Sequence, residues 1–306
     1  MTMTDLKMGM LVQHTSLGLG KIVALETDAV HVFFEASEKR FATKLRLAAA
    51  APFLSPAVGK NAWLKGMGPL SLDAKTNRYG LAATWLTHDE AVARFLEAFP
   101  KGFADPKYRA ESKRKGDSEF KWRAAQAAFA EQLGGGDGER LLAADDVGEL
   151  VRRAVRVERN VGLVHPNPEK ASLKDALKDK GAARALFEAL FELLAVAAPD
   201  RSRFEKLASA VVALPQGASP ALAWPLATGF AFIARPDRHM LMRPKATSDA
   251  AMRLGFDIGY GAVPNWATYS ALLSFTELLL AKLAPLGARD HVDVESFLHT
   301  TAAKRG

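Results

Sequence analysis

Residues 18–34, GLGKIVALETDAVHVFF, decide the fold predicted for the N-terminal part of the chain. Their β-branched and aromatic residues fall in two runs, and Thr27 and Asp28 form a turn between the runs. Gly18 and Gly20 lead into the first run, where glycines usually mark a tight bend or a bulge. The stretch therefore predicts two short strands joined by a turn.

The same glycines, together with Lys21, raise the question of a phosphate-binding loop, and their spacing argues against it. A P-loop needs two glycines five positions apart, followed by Lys and then Ser or Thr, whereas Ile22 follows Lys21. The dinucleotide-binding fingerprint needs a third glycine where this chain has Val23. Both motifs also require a helix after the glycines, where this sequence predicts a strand.

The strand pattern extends to both sides of this stretch. MLVQHT at 10–15 and KRFAT at 39–43 are further short runs, and SPAVGK at 55–60 is typical of a boundary. A single hairpin of this length would not be stable alone, so several strands in so short a segment predict a small, strongly bent barrel. We therefore predict a β-barrel over residues 1–54 and an irregular connection over 55–85.

About the first fifty residues resemble the Tudor-like domain at the C-terminus of UvrD-type helicases and, more distantly, the RNA-polymerase-binding domain of CarD-like regulators. Met10 departs from that pattern, since an acidic residue is common there, and Leu17 replaces an aromatic residue. The resemblance implies a Tudor/SH3-like barrel that binds protein or associates with nucleic acid, with RNA polymerase or a helicase-type protein as a candidate partner. It brings no catalytic residues. The positions that carry it are Gly9, Val12, His14, Gly18, Gly20, Val23, Val30, Val32, Phe34 and the basic pair Lys39-Arg40.

Three residues of this part are candidates for partner binding. Phe33 and Phe34 are adjacent in a strand, so one of them faces away from the barrel interior, and we assign that position to Phe33. Lys39 and Arg40 follow as a basic pair. His14 stands beside a turn without a second ligand at metal-site spacing, so we expect a structural role for it.

From residue 86 onward the apolar residues recur with a helical period. Thr87 and Glu90 form a capping box before an apolar face that begins at Val92 and ends at Pro100. These patterns predict a large, mostly α-helical domain over 86–306, and hence an α+β chain. Segments 223–260 and 264–297 resemble an uncharacterised family of bacterial helical proteins, which implies a fold and no activity. Further helices are predicted over 118–133, 139–158 and 171–196, and a helix that is apolar all round over 221–234.

The composition limits the function classes. The chain has 306 residues and no Cys, which excludes disulfides, thiolate zinc sites and cysteine nucleophiles. Its N-terminus has no apolar signal segment, and its apolar stretch near 271–284 is interrupted by Glu277 and Lys282, so we expect a cytoplasmic protein without a membrane span. A net charge of +7 favours polyanionic partners.

The segment ARDHVDVESF at 288–297 carries the carboxylates that suggest catalysis. Asp290, Asp293 and Glu295 are weak candidates for catalytic residues. If the segment formed a strand, His291, Asp293 and Glu295 would share one face, which suits a hard metal ion. A polar chain end whose valines pack inward explains the same pattern, so we assign no metal site here.

Two basic segments are candidates for anion binding. The first, 101–123, contains Lys113, Arg114 and Lys115 with interleaved aromatic residues, a combination that suits phosphate contacts and base stacking. The second, 235–245, contains Pro236 and Pro244, each of which restricts the residue before it to an extended conformation. Its candidate residues are Arg235, Arg238, His239, Arg243 and Lys245.

From these observations we expect a non-catalytic cytoplasmic adaptor or regulator that associates with DNA, RNA or RNA polymerase and uses no cofactor. Two alternatives stay open. One is a metal-dependent phosphodiester hydrolase that uses the C-terminal carboxylates. The other is a scaffold whose partners are only proteins.

Overall fold

The computed structural model describes residues 6–35, 41–57, 61–80, 85–110, 119–163, 173–214 and 220–302, in two compact units. The first unit comprises Met1–His88 with Ala251–Asp257, and the second comprises Asp89–Ala250 with Ile258–Gly306. The α+β class is confirmed, since an antiparallel five-stranded sheet precedes a mostly helical remainder. The predicted boundaries need correction, because residues 55–85 belong to the first unit instead of connecting two domains.

The sheet of the first unit has the strand order β4-β3-β2-β1-β5. A short helix, α1 (Leu47–Ala50), and a 3₁₀ turn (Ala51–Phe53) connect the fourth strand to the fifth, which returns to pair with the first. The strands are β1 (Leu11–His14), β2 (Gly18–Leu25), β3 (Ala29–Phe34), β4 (Thr43–Arg46) and β5 (Leu54–Pro56).

The β2–β3 hairpin contains the irregularity that its glycines suggested. The pairing register shifts between Ile22 and Ala24, which marks a bulge in β2. Alternate residues of the strands then point to one side of the sheet, where they form a buried apolar cluster. The cluster consists of Leu6, Val12, Ile22, Val30, Val32, Phe34 and Leu54.

The Gly-Leu-Gly-Lys sequence at 18–21 forms the start of β2 and has a structural role in this sheet. Gly18 has φ +78°, a left-handed conformation that favours glycine. Gly20 instead leaves room for its neighbours, since a Cβ atom there would lie 2.5 Å from a methyl carbon of Val32 and 2.9 Å from the carbonyl oxygen of Phe33. The ammonium group of Lys21 donates to backbone carbonyls at the C-terminal end of a second short helix.

That helix, α2 (Ala62–Gly66), covers the other side of the sheet. Lys21 Nζ donates to the carbonyl oxygens of Lys65, at 3.2 Å, and Met67, at 3.1 Å. Burial lowers the pKa of Lys21, and the charge of Asp257 partly opposes the shift. The first unit also contains a small hairpin of β6 (Ser71–Asp73) and β7 (Arg78–Gly80).

This second layer corrects the assignment of Phe33 to an exposed partner surface. Phe33 does face away from the cluster around Val32, but Trp63, Leu64 and Trp85 cover it and leave its side chain only 4% exposed. The alternation of the strand gave its direction correctly. The layer that buries it comes from residues predicted as a connection.

The second unit is built from helices. The segment 221–234, predicted to be apolar all round, forms a helix whose described side chains are almost all buried, including Trp224, Phe230 and Phe232. Short 3₁₀ turns lie at Gly102–Ala104 and Ala284–Leu286. The helices of the chain after the small hairpin are α3 (His88–Ala98), α4 (Pro106–Ala110), α5 (Glu119–Gln132), α6 (Asp137–Ala143), α7 (Val147–Glu158), α8 (Leu173–Ala176), α9 (Lys180–Leu194), α10 (Arg201–Val212), α11 (Pro220–Ala234), α12 (Pro244–Arg253), α13 (Trp266–Leu283) and α14 (His291–Ala302).

Helix α13 is long and rich in apolar residues. Within the described residues, the segment Trp266–Leu286 is the one helical stretch with the length and apolar composition needed to cross a membrane. Tyr269, Leu272 and Phe275 on this helix are buried inside the second unit. The core helix of a soluble protein satisfies the same criteria.

We predict that Gly20→Ala destabilises the intact protein by about 1–3 kcal/mol, because the added methyl group overpacks the β2–β3 contact. Gly148→Ala is the control, since a Cβ atom there, within α7, would lie 3.8 Å from the nearest atoms, an ordinary contact distance, and the substitution should be neutral or slightly stabilising. Urea unfolding measures both free energies. Equal effects of the two substitutions, or ATP binding that Gly20→Ala abolishes, would contradict the structural role of Gly20.

Candidate functional site

The three charged segments that the sequence singled out meet in the second unit. Arg123 comes from the first basic segment, Arg243 from the second, and Asp290, Asp293 and Glu295 from the C-terminal segment. The sequence treated these segments as separate anion or metal sites. In the structure their opposite charges bind one another, and we call this set of residues, with Arg289, the arginine–carboxylate network.

Arg243 and Glu295 form one half of the network. Arg243 lies immediately before α12, and its guanidinium group binds the carboxylate of Glu295, whose side chain is only 8% exposed. The guanidinium carbon also lies 5.9 Å from the ring centre of Trp122, within the range of a cation–π interaction. Within the chain, Glu295 therefore balances the charge of Arg243, and the ring of Trp122 lies against its guanidinium group.

Asp290 and Asp293 form the other half. Arg123 donates to both carboxylate oxygens of Asp290, at 2.5 and 2.9 Å, in the two-pronged arrangement that arginine favours. Asp293 is fully buried and accepts hydrogen bonds from the Tyr108 hydroxyl at 2.9 Å and from the backbone and side chain of Arg289. Each carboxylate of the candidate set therefore binds an arginine.

The carboxylates do not share a face, because the segment forms helix α14 and not the strand we considered. At about 100° per residue, Asp293 points roughly 200° away from His291, whereas Glu295 returns close to the direction of His291. Within the described parts of the chain, no three His, Asp or Glu side chains are grouped so that they could hold a metal ion. The geometry that suited a hard metal is thus lost.

Most of the second basic segment is also neutralised within the chain. Arg235 donates through Nε and Nη2 to Asp237, at 3.0 and 2.8 Å, and this hydrogen bonding lowers the pKa of Asp237 to about 2. Arg238 donates to the carbonyl oxygen of Val196 at 2.6 Å and also contacts Asp237. Lys245, in contrast, is exposed on the first turn of α12.

His239 of the same segment is completely buried, so it cannot serve as a surface cation. Its Nδ1 atom lies 3.0 Å from the hydroxyl oxygen of Tyr269, which the backbone of Met240 also hydrogen-bonds. All these atoms are paired when the Tyr269 hydroxyl donates to Nδ1 and the histidine is neutral. Burial, reinforced by the charge of Arg238 and opposed by Asp237, lowers the pKa of His239 to about 3.

His291 connects the segment to α14. Its backbone N–H donates to the carbonyl oxygen of Pro236, and its Nδ1 atom lies 3.1 Å from the carbonyl oxygen of His239, to which it donates. Burial lowers the pKa of His291 as well. Among the described residues, the Nε2 atoms of both His239 and His291 are buried without a hydrogen-bond partner.

Five of the predicted binding residues cannot be placed in this arrangement. Lys113, Arg114 and Lys115 of the first basic segment lie outside the described residues, as do Lys39 and Arg40. The described aromatic side chains of the first basic segment, Phe103, Tyr108 and Trp122, are all buried, and Tyr108 contributes to the network instead of a stacking surface.

Comparison with models of known protein families, with curated proteins and with solved structures finds no match for this chain.

The buried histidines predict a loss of stability in acid. Burial holds the pKa of both histidines below the value near 6.5 that they have when unfolded. Their contribution to stability is therefore complete above pH 6.5 and falls as the pH drops, for His239 down to about pH 3. Each adds up to about 1.4 kcal/mol per pH unit to the slope of the unfolding free energy in this interval. We expect His239→Asn, which keeps an acceptor near Nδ1, to lower the proton uptake on unfolding by nearly one.

Urea unfolding at a series of pH values between about 4.5 and 7 measures this slope. His299→Asn is the control, because it removes an exposed histidine from α14. If His239→Asn and His299→Asn have the same slope as the wild type, the neutral buried state of His239 is wrong.

Proposed function

We propose that the protein is a non-catalytic adaptor or regulator that associates with nucleic acid or RNA polymerase. The observation that carries the non-catalytic part is the pairing of Asp290, Asp293 and Glu295 with arginines. A metal-dependent phosphodiester hydrolase needs carboxylates whose oxygens are free to bind Mg²⁺ and whose directions converge. Here Asp293 and Glu295 diverge around α14, and the charge of each of the three carboxylates is already balanced by an arginine.

The proposal includes a Tudor/SH3-like barrel in the first unit. Three features of the sheet support it: the β2 bulge, the 3₁₀ turn before β5, and the return of β5 to the side of β1. A strongly bent sheet whose last strand lies beside its first is what such a small barrel requires. With the resemblance of residues 5–41, this supports binding as the role of the unit.

The charge of the first unit supports a polyanionic partner. It contains eleven Lys or Arg residues and seven Asp or Glu residues, so it holds more than half of the net charge in less than a third of the chain. Arg46 on the outermost strand, β4, is exposed, as are Lys65 on α2 and Lys75 in the small hairpin. Scattered exposed cations of this kind attract phosphate backbones without reading a sequence.

A protein partner is the second candidate, and one observation favours it. Phe53 is 50% exposed and lies beside His14, with 6.1 Å between the ring centres. The Nδ1 atom of His14 accepts hydrogen bonds from the backbone amides of Ser16 and Leu17, which holds the turn that exposes Leu17. A fixed apolar tip of this type suits a protein contact.

Binding of the intact protein to labelled duplex DNA and single-stranded RNA tests the proposal. We expect fluorescence anisotropy to show binding that weakens steeply between about 50 and 200 mM salt, with both nucleic acids left intact in the presence of Mg²⁺. Cleavage that Glu295→Gln abolishes would replace the proposal with the hydrolase alternative. If neither nucleic acid binds and a nuclease-treated lysate still yields a specific protein partner other than RNA polymerase, the protein-only scaffold is correct.

A further inference from the structure

Helix α7 presents three arginines in a row on its exposed side. Arg152, Arg156 and Arg159 follow one another at intervals of four and three residues, which places them within about 60° around the helix axis. The backbone of Arg159, which caps the helix, still has helical angles. All three side chains are exposed, and we call them the arginine ridge.

The positive charge of the ridge exceeds the negative charge beside it. Arg152 donates to Glu149 at 2.8 Å, but Glu149 also binds Arg153, so one carboxylate is shared by two cations. Arg156 donates to the neutral amide oxygen of Gln132, at 3.3 Å. This differs from the segment 235–245, where Asp237 and Glu295 bind the arginines.

Glu158 lies on the same helix, but it is half-buried and points about 120° away from the ridge. Arg153, which also faces away from the ridge centre, donates to the carbonyl oxygen of Gln132 and contacts Asp137. Among the described residues, Glu149 and Asp137 therefore bind the flank of the ridge, and positive charge is in excess at Arg156 and Arg159.

We propose that the arginine ridge is a contact site for the phosphates of a nucleic-acid strand. At a rise of about 1.5 Å per residue, the ridge spans about 10.5 Å, and a DNA strand presents about three phosphates over that length of its axis. The ridge consists only of arginines, whose guanidinium groups can bind two phosphate oxygens at once. No aromatic residue lies among them to stack on a base, so we assign to the ridge contacts with phosphates, which carry no sequence information.

This inference rests on the proposed association with nucleic acid and assigns part of that binding to the second unit. It differs from the segments that the sequence favoured, whose candidate residues, apart from the exposed Lys245, lie outside the described residues or are buried or paired within the chain. The inference also predicts a number, because each arginine that binds a phosphate contributes about one unit to the slope of log K against log salt.

The test uses the intact protein, a labelled 30-base-pair DNA duplex and anisotropy titrations at several salt concentrations. We expect Arg156→Ala/Arg159→Ala to weaken binding roughly tenfold or more at low salt, and to reduce the slope of log K against log salt by about two. Alanine is the best helix former, so α7 should stay folded, and a circular dichroism melt verifies this. Arg156→Lys/Arg159→Lys should restore the slope, because it restores both charges.

The matched control is Arg201→Ala/Arg203→Ala on α10. It removes the same net charge from exposed helical positions, but each of these arginines binds its own carboxylate, Glu205 or Asp200. Equal losses in the control and the ridge variant would show a general charge effect and overturn the inference. A ridge variant that binds as tightly as the wild type would also overturn it while leaving the proposed function intact. A wild type that binds neither DNA nor RNA would remove both the inference and the nucleic-acid part of the proposed function.

Discussion

Asp293 is the constraint on which the second unit depends. Its carboxylate is completely buried, and a buried charge is very costly unless an opposite charge and hydrogen bonds compensate it. Tyr108 and Arg289 donate to it, and Arg123 approaches it to 3.6 Å while binding Asp290. These contacts connect α4, α5 and α14, so the position of one carboxylate fixes three separate parts of the chain.

The same constraint separates structure from function. The charged residues that the sequence suggested for binding or catalysis form ion pairs within the chain. Arg243 and Glu295 neutralise one another, and Asp237 binds Arg235 and Arg238. His239 and His291 are buried in neutral form between them. A charge-balanced interior leaves the net positive charge of the chain to its surface, which is the physical reason for proposing a binding protein with polyanionic partners.

The sequence predicted what depends on local pattern. Alternation in 18–34 predicted the β2–β3 strands, and the glycines predicted the irregularity found there. The sequence did not predict the structure correctly where tertiary contacts determine it. The alternation in HVDVESF, residues 291–297, suited a strand, yet the segment belongs to a helix and is buried on all sides. The arginine–carboxylate pairs join residues 167 and 52 positions apart, for Arg123–Asp290 and Arg243–Glu295, and no local spacing could reveal them. Burial of Phe33 depended on a second layer in a segment without a clear period.

A double-mutant cycle on Arg243 and Glu295 tests most directly the central claim that the candidate charges serve the fold. Arg243→Met and Glu295→Gln should each destabilise the protein, Arg243→Met by about 3 kcal/mol because it leaves a nearly buried carboxylate without its partner. The combined variant should lose at least about 1 kcal/mol less than the sum of the two, measured by urea unfolding at neutral pH. Additive or negligible losses would contradict the claim and return both residues to the set of candidates for binding or catalysis.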